Sequence, residues 1–286
     1  MTPSIKTIKL IDTFLFFNEI EMLKARLEYL GPVVDHFVIC EANIDFAGNK
    51  KKIILNEEII KSLPFSEKII FYKKEINFNS VLWSIKKIRY YKKNVRLLWK
   101  LQDSQRNALL EPLKEFDENS LIIFSDLDEI PSKNAIEFFI KNYISFQNNN
   151  QNSCIYSCKQ IFFYYDLKHY ATDDIFYGSV MTDLKNFRFY LPHKIKSNKN
   201  NFKHIMDGGW HFSYFMTAEK IREKILAISD VENLSIYKSL DIEEIKEKIL
   251  GNKDLYNRKL QLSADGIKYV PNDLVQILKK HFPNCI

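Results

Sequence analysis

Residues 5–40 read as an apolar strand, an amphipathic helix and a second apolar strand, and this order constrains the fold more than any other feature of the chain. Residues 5–17 are rich in Ile, Leu and Phe, as a buried strand requires. EIEMLKARLEYL follows, with Met22, Leu23, Leu27 and Leu30 at helical spacing, and Gly31-Pro32 ends the helix. VVDHFVIC then makes a second strand that closes on Glu41. Two strands joined through a helix pair in parallel, because the crossover brings the chain back to the same end of the sheet. The chain is therefore α/β, with ligands expected at the carboxyl edge of the strands.

The rest of the sequence continues the alternation. A third strand is expected at 68–72, a basic helix or helix-loop at 83–100, and a helix at 104–116. LIIFSDLDEIP is a strand ending in acids and a proline, and Ser132 caps a helix over 132–146. Strands follow at 154–165 and 175–181, then a basic loop over 193–204, a short strand ending in GGWHFSYF, and helices at 218–227 and 241–250. No repeat or linker divides the chain. The expectation is one domain, 1–286, with a mostly parallel central sheet and a helical C-terminal extension over 216–286.

Composition excludes several classes. The 286 residues are 46% hydrophobic and carry a net charge of +6, which rules out global disorder and gives no concentrated basic face for nucleic acid. No apolar run is long enough to cross a bilayer, and the first residues lack the pattern of a secretory signal. Cys40, Cys154, Cys158 and Cys285 show no C-x-x-C spacing, so neither a disulfide framework nor a zinc site is indicated, and a reducing cytoplasm is expected. The segment 83–100 holds seven Lys or Arg among aromatics and no acid. It admits peripheral docking on an anionic membrane face, or simply a solvated helix face.

Ser125-Asp126-Leu127-Asp128-Glu129 carries the sharpest chemistry. Two carboxylates at i and i+2, placed after an apolar strand, can converge on Mg²⁺ or Mn²⁺ bearing a diphosphate. Two reactions use such a pair: glycosyl transfer from a sugar nucleotide, or phosphoryl chemistry like that of haloacid-dehalogenase-like phosphatases, with Asp126 as nucleophile and Asp128 as general acid. Those phosphatases usually place a Thr or Val where Ile130 stands, and on their first strand. A non-catalytic polyanion- or sugar-binding protein is a further alternative. Gly208-Gly209-Trp210-His211 allows close backbone approach and offers an imidazole as third metal ligand.

Together DTFLFFNEIEMLKARLEYLGPVVDHFVICEANIDFAGNKK, QRNALL, SDLDEIP and GGWHFSYF resemble glycosyltransferase family 17, which includes β-1,4-mannosyl-glycoprotein β-1,4-N-acetylglucosaminyltransferases and many bacterial relatives. The resemblance implies a GT-A-like fold, a UDP-sugar donor, most often UDP-GlcNAc, a glycan or lipid-linked glycan acceptor, and inversion at the anomeric carbon. It departs from the family at Asn43-Ile44-Asp45-Phe46, at Gln102 where Glu is expected, and at HKIKSNKNNFK where an arginine-containing stretch is expected. On this reading Asp126, Asp128 and His211 hold Mn²⁺ or Mg²⁺. Asn18, Glu19, Glu41 and Arg106 surround the base, ribose or phosphates, and Lys194 and Lys196 clamp the diphosphate. The acceptor hydroxyl needs a general base, for which Asp207 and Glu232 are the candidates beside the catalytic Asp128.

Overall fold

The computed structural model describes residues 8–77, 91–148, 154–172, 175–227, 239–258 and 260–283, and only the backbone of 91–97 and 146–148. The N-terminal unit is β1 (Leu10–Phe16), α1 (Ile20–Leu30) and β2 (His36–Ala42), followed by α2 (Glu57–Ser62) and β3 (Ile69–Lys74). β1 pairs in parallel with β2 on one side and with β4 (Leu121–Asp126) on the other, and β2 pairs in parallel with β3. The expected βαβ unit and third strand are present.

Every residue of β1 except Leu15 is buried, as a strand covered on both faces must be. Its side chains alternate between two cores. Phe14 and Phe16 join Phe37, Ile39 and Ile123 beneath α1. Ile11 joins Val38, Cys40, Ile122 and Phe124 on the opposite face. Gly31 ends α1 with its N–H on the Leu27 carbonyl at 2.8 Å. A Cβ there would lie 2.2 Å from the Phe65 ring, so the residue is small because another segment passes close, not because its φ requires it.

Beyond β4 the sheet becomes mixed. β5 (Glu129–Pro131), α4 (Lys133–Asn148), β6 (Tyr156–Tyr164), β7 (Tyr170–Ala171) and β8 (Phe176–Asp183) follow. β8 inserts antiparallel between β4 and β6. Later come β9 (Lys203–Ile205) and β10 (Gly209–Ser213), both parallel to β6, and β11 (Leu262–Ser263), antiparallel to β7. Taken through these pairings, β1 to β4, β6, β9, β10 and β11 run one way and only β5, β7 and β8 run the other. The sheet is mostly parallel by strand direction, with its parallel heart in β3-β2-β1-β4. Ser132 caps α4 as expected, its Oγ accepting from the Ala135 N–H at 3.0 Å.

Three expectations need correction. The end of the basic segment and the start of the helix expected at 104–116 join into one helix, α3 (Tyr91–Asn107), which ends in a 3-10 turn at Ala108–Leu110, and residues 111–116 are turns rather than helix. Residues 83–90 of that segment lie outside the described residues. After α5 (Leu184–Tyr190), the loop expected over 193–204 is instead α6 (Pro192–Ser197), a 3-10 turn and the start of β9. Pro192 begins α6, where its missing N–H costs nothing, and Ile195 anchors it in the core. The C-terminal region is helical in α7 (Ala218–Ala227), α8 (Ile242–Leu250) and α9 (Asn272–His281), but it also returns β11 to the sheet. α9 lies against α1 and α4, with Lys280 bonded to Glu28 and Lys133 to Asp273.

Candidate functional site

β4 ends at Asp126 and β5 begins at Glu129, so Leu127 and Asp128 form the turn between them. Register places Leu15 opposite Asp126 and Phe16 opposite Glu41, so the first, second and fourth strands finish at one edge. Here a cleft of about 340 Å³ opens, lined by Phe16, Phe17, Glu19, Phe46, Gln102, Asp126, Asp128, Phe176, Lys199, His211, Tyr214 and Lys224 among others.

The turn is held from beneath by Arg26, a fully buried residue of α1. Its Nε and Nη2 donate to the two Asp12 carboxylate oxygens, both at 2.7 Å. Nη2 also donates to Ser125 Oγ at 2.6 Å, and Nη1 donates to the carbonyls of Leu127 (3.1 Å) and Glu129 (2.9 Å). One planar guanidinium thus ties β1 to the backbone on both sides of Asp128, a role that needs the rigid fork of arginine. A buried pair of this kind holds only when every donor is satisfied, and here the carbonyls of the turn complete the set.

Cations surround the acids above the turn. Lys196 Nζ lies 3.0 Å from Asp126 Oδ2 and is also bonded to the buried Glu129, whose other oxygen faces Lys199 at 3.8 Å. Arg106 approaches Asp126 Oδ1 at 3.6 Å, and its buried Nε has no hydrogen-bond partner. Lys224 of α7 bridges Asp128 Oδ2 (2.9 Å) and Glu19 Oε1 (3.0 Å). Desolvation by the cleft walls favours neutral carboxyls. The attraction of Lys196 and Arg106 for Asp126, and of Lys224 and His211 for Asp128, outweighs it and holds both well below the ordinary carboxylate range. By the same balance Lys224 is raised, because Asp128 and Glu19 outweigh its own desolvation.

β10 delivers His211. Gly209, at φ +129°, runs so close to β5 that a Cβ would lie 2.2 Å from the Ile130 carbonyl, so only glycine fits. The Phe212 N–H donates to the Asp128 carbonyl at 2.9 Å, which locks β10 to the turn. His211 stacks between Phe162 and Phe176, with centroids at 4.8 and 4.4 Å, and its Nε2 lies 3.6 Å from Asp128 Oδ1. Its Nδ1 is buried without a partner.

The structure therefore brings together Glu19, Arg106, Asp126, Asp128, Lys196 and His211, and sets the other expected residues apart. Glu41 is fully buried and turned away from the cleft: it accepts from the Ile54 and Leu55 N–H groups, both at 2.9 Å, and from Lys51. The expectation that it meets a uracil is corrected, since its carboxylate fastens the loop after β2. Asn18 lines a neighbouring cavity of about 350 Å³ with Lys50, Lys51, Lys52, Glu223 and Ala227. Lys194 is exposed on α6 and does not line the cleft. Asp207 lines a different cavity, of about 490 Å³, with Lys159, Tyr170 and Tyr269. Glu232 lies outside the described residues.

Sequence reasoning missed Arg26, Asp12, Lys199 and Lys224. The signal for the first pair was present: an arginine one turn from Met22 and Leu30 on the apolar face of a helix, and an aspartate inside an apolar strand. Nothing local marked the two lysines.

Two carboxylates and an imidazole are the right donors for a hard divalent cation, and the ammoniums beside Asp126 and Asp128 stand in for positive charge there. Even so, among the described residues no three His, Cys, Asp or Glu side chains are gathered into a ready metal site. The donor chemistry suits such a cation, while in this arrangement Lys196 and Lys224 hold the two carboxylates.

The acid turn thus stands at the carboxyl edge of the parallel strands, the edge at which α/β sheets bind ligands, with cations around it. The sequence pattern of glycosyltransferase family 17 matches residues 2–260, and the chain belongs to that family. It is accordingly a glycosyltransferase, as the resemblance implied. No curated protein matches the chain. No helix among the described residues is long and apolar enough to cross a membrane.

Proposed function

We propose that the chain is a metal-dependent inverting transferase of GT-A-like fold that moves a sugar, GlcNAc from UDP-GlcNAc, to a glycan or lipid-linked glycan. The observation that carries this reading is the cleft itself: Asp126 and Asp128 stand at the carboxyl edge of β3-β2-β1-β4, with Arg106, Lys196, Lys199 and Lys224 around them. Phe16, Phe17 and Phe46 give the cleft an apolar wall suited to a nucleoside, and Arg106 is a cation with an unused donor for a phosphate.

Asp126, Asp128 and His211 would hold Mn²⁺ or Mg²⁺. That cation would neutralise charge gathering on the leaving diphosphate. The protein's own share is orientation. Arg26 fixes the turn, Phe162 and Phe176 fix the imidazole plane, and the lysines neutralise the phosphate oxygens. In the transfer, the acceptor oxygen bonds to the anomeric carbon as the bond to the diphosphate breaks, and a base on the acceptor side takes the hydroxyl proton. Of the two candidates, Asp207 lines a different cavity, which leaves Glu232 as the proposed base.

The family assignment favours transfer over the phosphatase and polyanion-binding alternatives. The test is a panel of nucleotide-sugars with and without Mn²⁺, scored for nucleotide release. UDP-GlcNAc should be consumed in Mn²⁺ and spared in EDTA. Equal turnover in EDTA overturns the metal assignment, and preference for another donor overturns the sugar.

A further inference from the structure

The two lysines beside the acid turn are held differently. Lys196 is anchored: its side chain is 7% exposed, and besides Asp126 it binds Glu129, which is 2% exposed. Lys224 is 21% exposed, comes from α7, and pairs with two acids more accessible than Glu129, Asp128 at 15% and Glu19 at 13%. Its ammonium lies 5.7 Å from the Tyr214 ring, an aromatic face beside its path. Moving Lys196 would strip a carboxylate that is 2% exposed of its nearest cation, whereas moving Lys224 leaves Asp128 to an incoming cation and Glu19, 13% exposed, with the Asn18 N–H.

Charge balance sharpens the point. With the imidazole counted neutral, Glu19, Asp126, Asp128 and Glu129 supply four negative charges, and Arg106, Lys196, Lys199 and Lys224 supply four positive ones, from the ion pairs at the turn. A divalent cation entering alone would give this neutral, partly desolvated cluster an excess of two positive charges. Entering with a donor diphosphate, which brings about two negative charges, it leaves the balance unchanged.

We infer that Lys224 is a resident counter-cation that holds Asp128 until metal and donor bind together, then releases the carboxylate to the metal and turns its ammonium to the diphosphate. This rests on the metal reading above and deepens it: the metal site is built only in the presence of the donor, and α7 couples the two. Lys224 then serves twice, first as a block to metal binding in the empty cleft and afterwards as a phosphate ligand.

The experiment measures Mn²⁺ binding to the full chain by the loss of the free-ion paramagnetic signal, without and with UDP, in wild type, Lys224→Gln, Lys224→Met, Lys224→Arg and Asp128→Asn. Melting curves confirm that each variant folds. Wild type should bind Mn²⁺ weakly alone and about tenfold or more tightly with UDP, within the usual range of coupling between two ligands. Lys224→Gln and Lys224→Met should bind Mn²⁺ alone about tenfold more tightly than wild type and lose most of the UDP enhancement. Lys224→Arg should retain the enhancement, and Asp128→Asn should lose Mn²⁺ under both conditions. If wild type binds Mn²⁺ with UDP but the Gln and Met variants match it both alone and with UDP, the counter-cation role is wrong and the metal reading stands. If no variant and no wild-type sample takes up Mn²⁺ even with UDP, the metal reading fails and this inference with it.

Discussion

Glu41 near the end of β2 and Asp128 in the turn beyond β4 belong to one parallel sheet edge, and both were expected to serve the donor site. They are used in opposite ways. The Glu41 carboxylate is saturated by its own chain, through the Ile54 and Leu55 N–H groups and Lys51, and shuts the loop after β2. The Asp128 carboxylate meets side chains, the flexible Lys224 at 2.9 Å and the stacked His211 at 3.6 Å, and it faces the cleft. The difference teaches how to separate a structural carboxylate from an available one. Backbone donors cannot leave without unfolding a loop, whereas an ammonium on a flexible stem can be exchanged for a ligand.

The largest expected effect comes from the residue that makes Asp128 available. Arg26→Met leaves Asp12 as a buried, unpaired charge and should cost about 3–5 kcal/mol in denaturant unfolding. Arg26→Lys keeps a charge but not the fork, so the turn loses its several anchors at once. Its folded enzyme should turn over about 10²-fold more slowly, the penalty for a small misplacement of reacting groups. Wild-type turnover in Arg26→Lys would show that the turn holds its shape without this support.

The sharpest test of the contrast pairs two isosteric changes. Asp128→Asn should lower turnover about 10²–10³-fold, as loss of a charge that serves the transition state does, with a measurable fall in melting temperature, smaller than that of Glu41→Gln, from the lost Lys224 pair. Glu41→Gln should do the reverse: turnover at low temperature stays at the wild-type level, while unfolding shows a loss of about 1–3 kcal/mol from weakened bonds to buried N–H groups. Equal losses of turnover in the two variants would erase the distinction.

A smaller effect is expected from pH. The Asp128 carboxyl is depressed below its ordinary value and Lys224 is raised above its own. A depressed acid contributes stability that is fully present above its unfolded value and is lost as pH falls through the folded one. A raised lysine contributes below its unfolded value and loses that contribution only above it. The melting difference between wild type and Asp128→Asn should therefore stay constant from about pH 5 to 9 and shrink below about pH 4. A difference that changes near neutrality would mean that another group controls Asp128.

Much of the fold was legible because local patterns and tertiary burial agree there. The apolar runs of β1 and β2, the helical spacing of Met22, Leu23, Leu27 and Leu30, and the Ser132 cap each describe a segment that does the same thing alone and in the sheet. Where the pattern was weak the reading slipped. α6 was hidden in a run of Lys and Asn, because only Pro192, Ile195 and Lys196 of that stretch are buried and the rest carries no period. α3 was divided in two because its basic residues obscured its apolar ones.

By itself the sequence determined the class of sheet, the strand that ends in Asp126-Leu127-Asp128, the glycine pair that admits β10, and the family, all features written in neighbouring residues. Tertiary structure alone decided which charges meet. Arg26 and Asp12 stand fourteen residues apart, and Asp128 and Lys224 ninety-six apart. No local period records such a pairing, because it depends on how α1 and α7 lie on the sheet. The same holds for Glu41. Its place at a strand end was visible in the chain, but whether it faced ligand or loop was decided by where Ile54 and Leu55 returned.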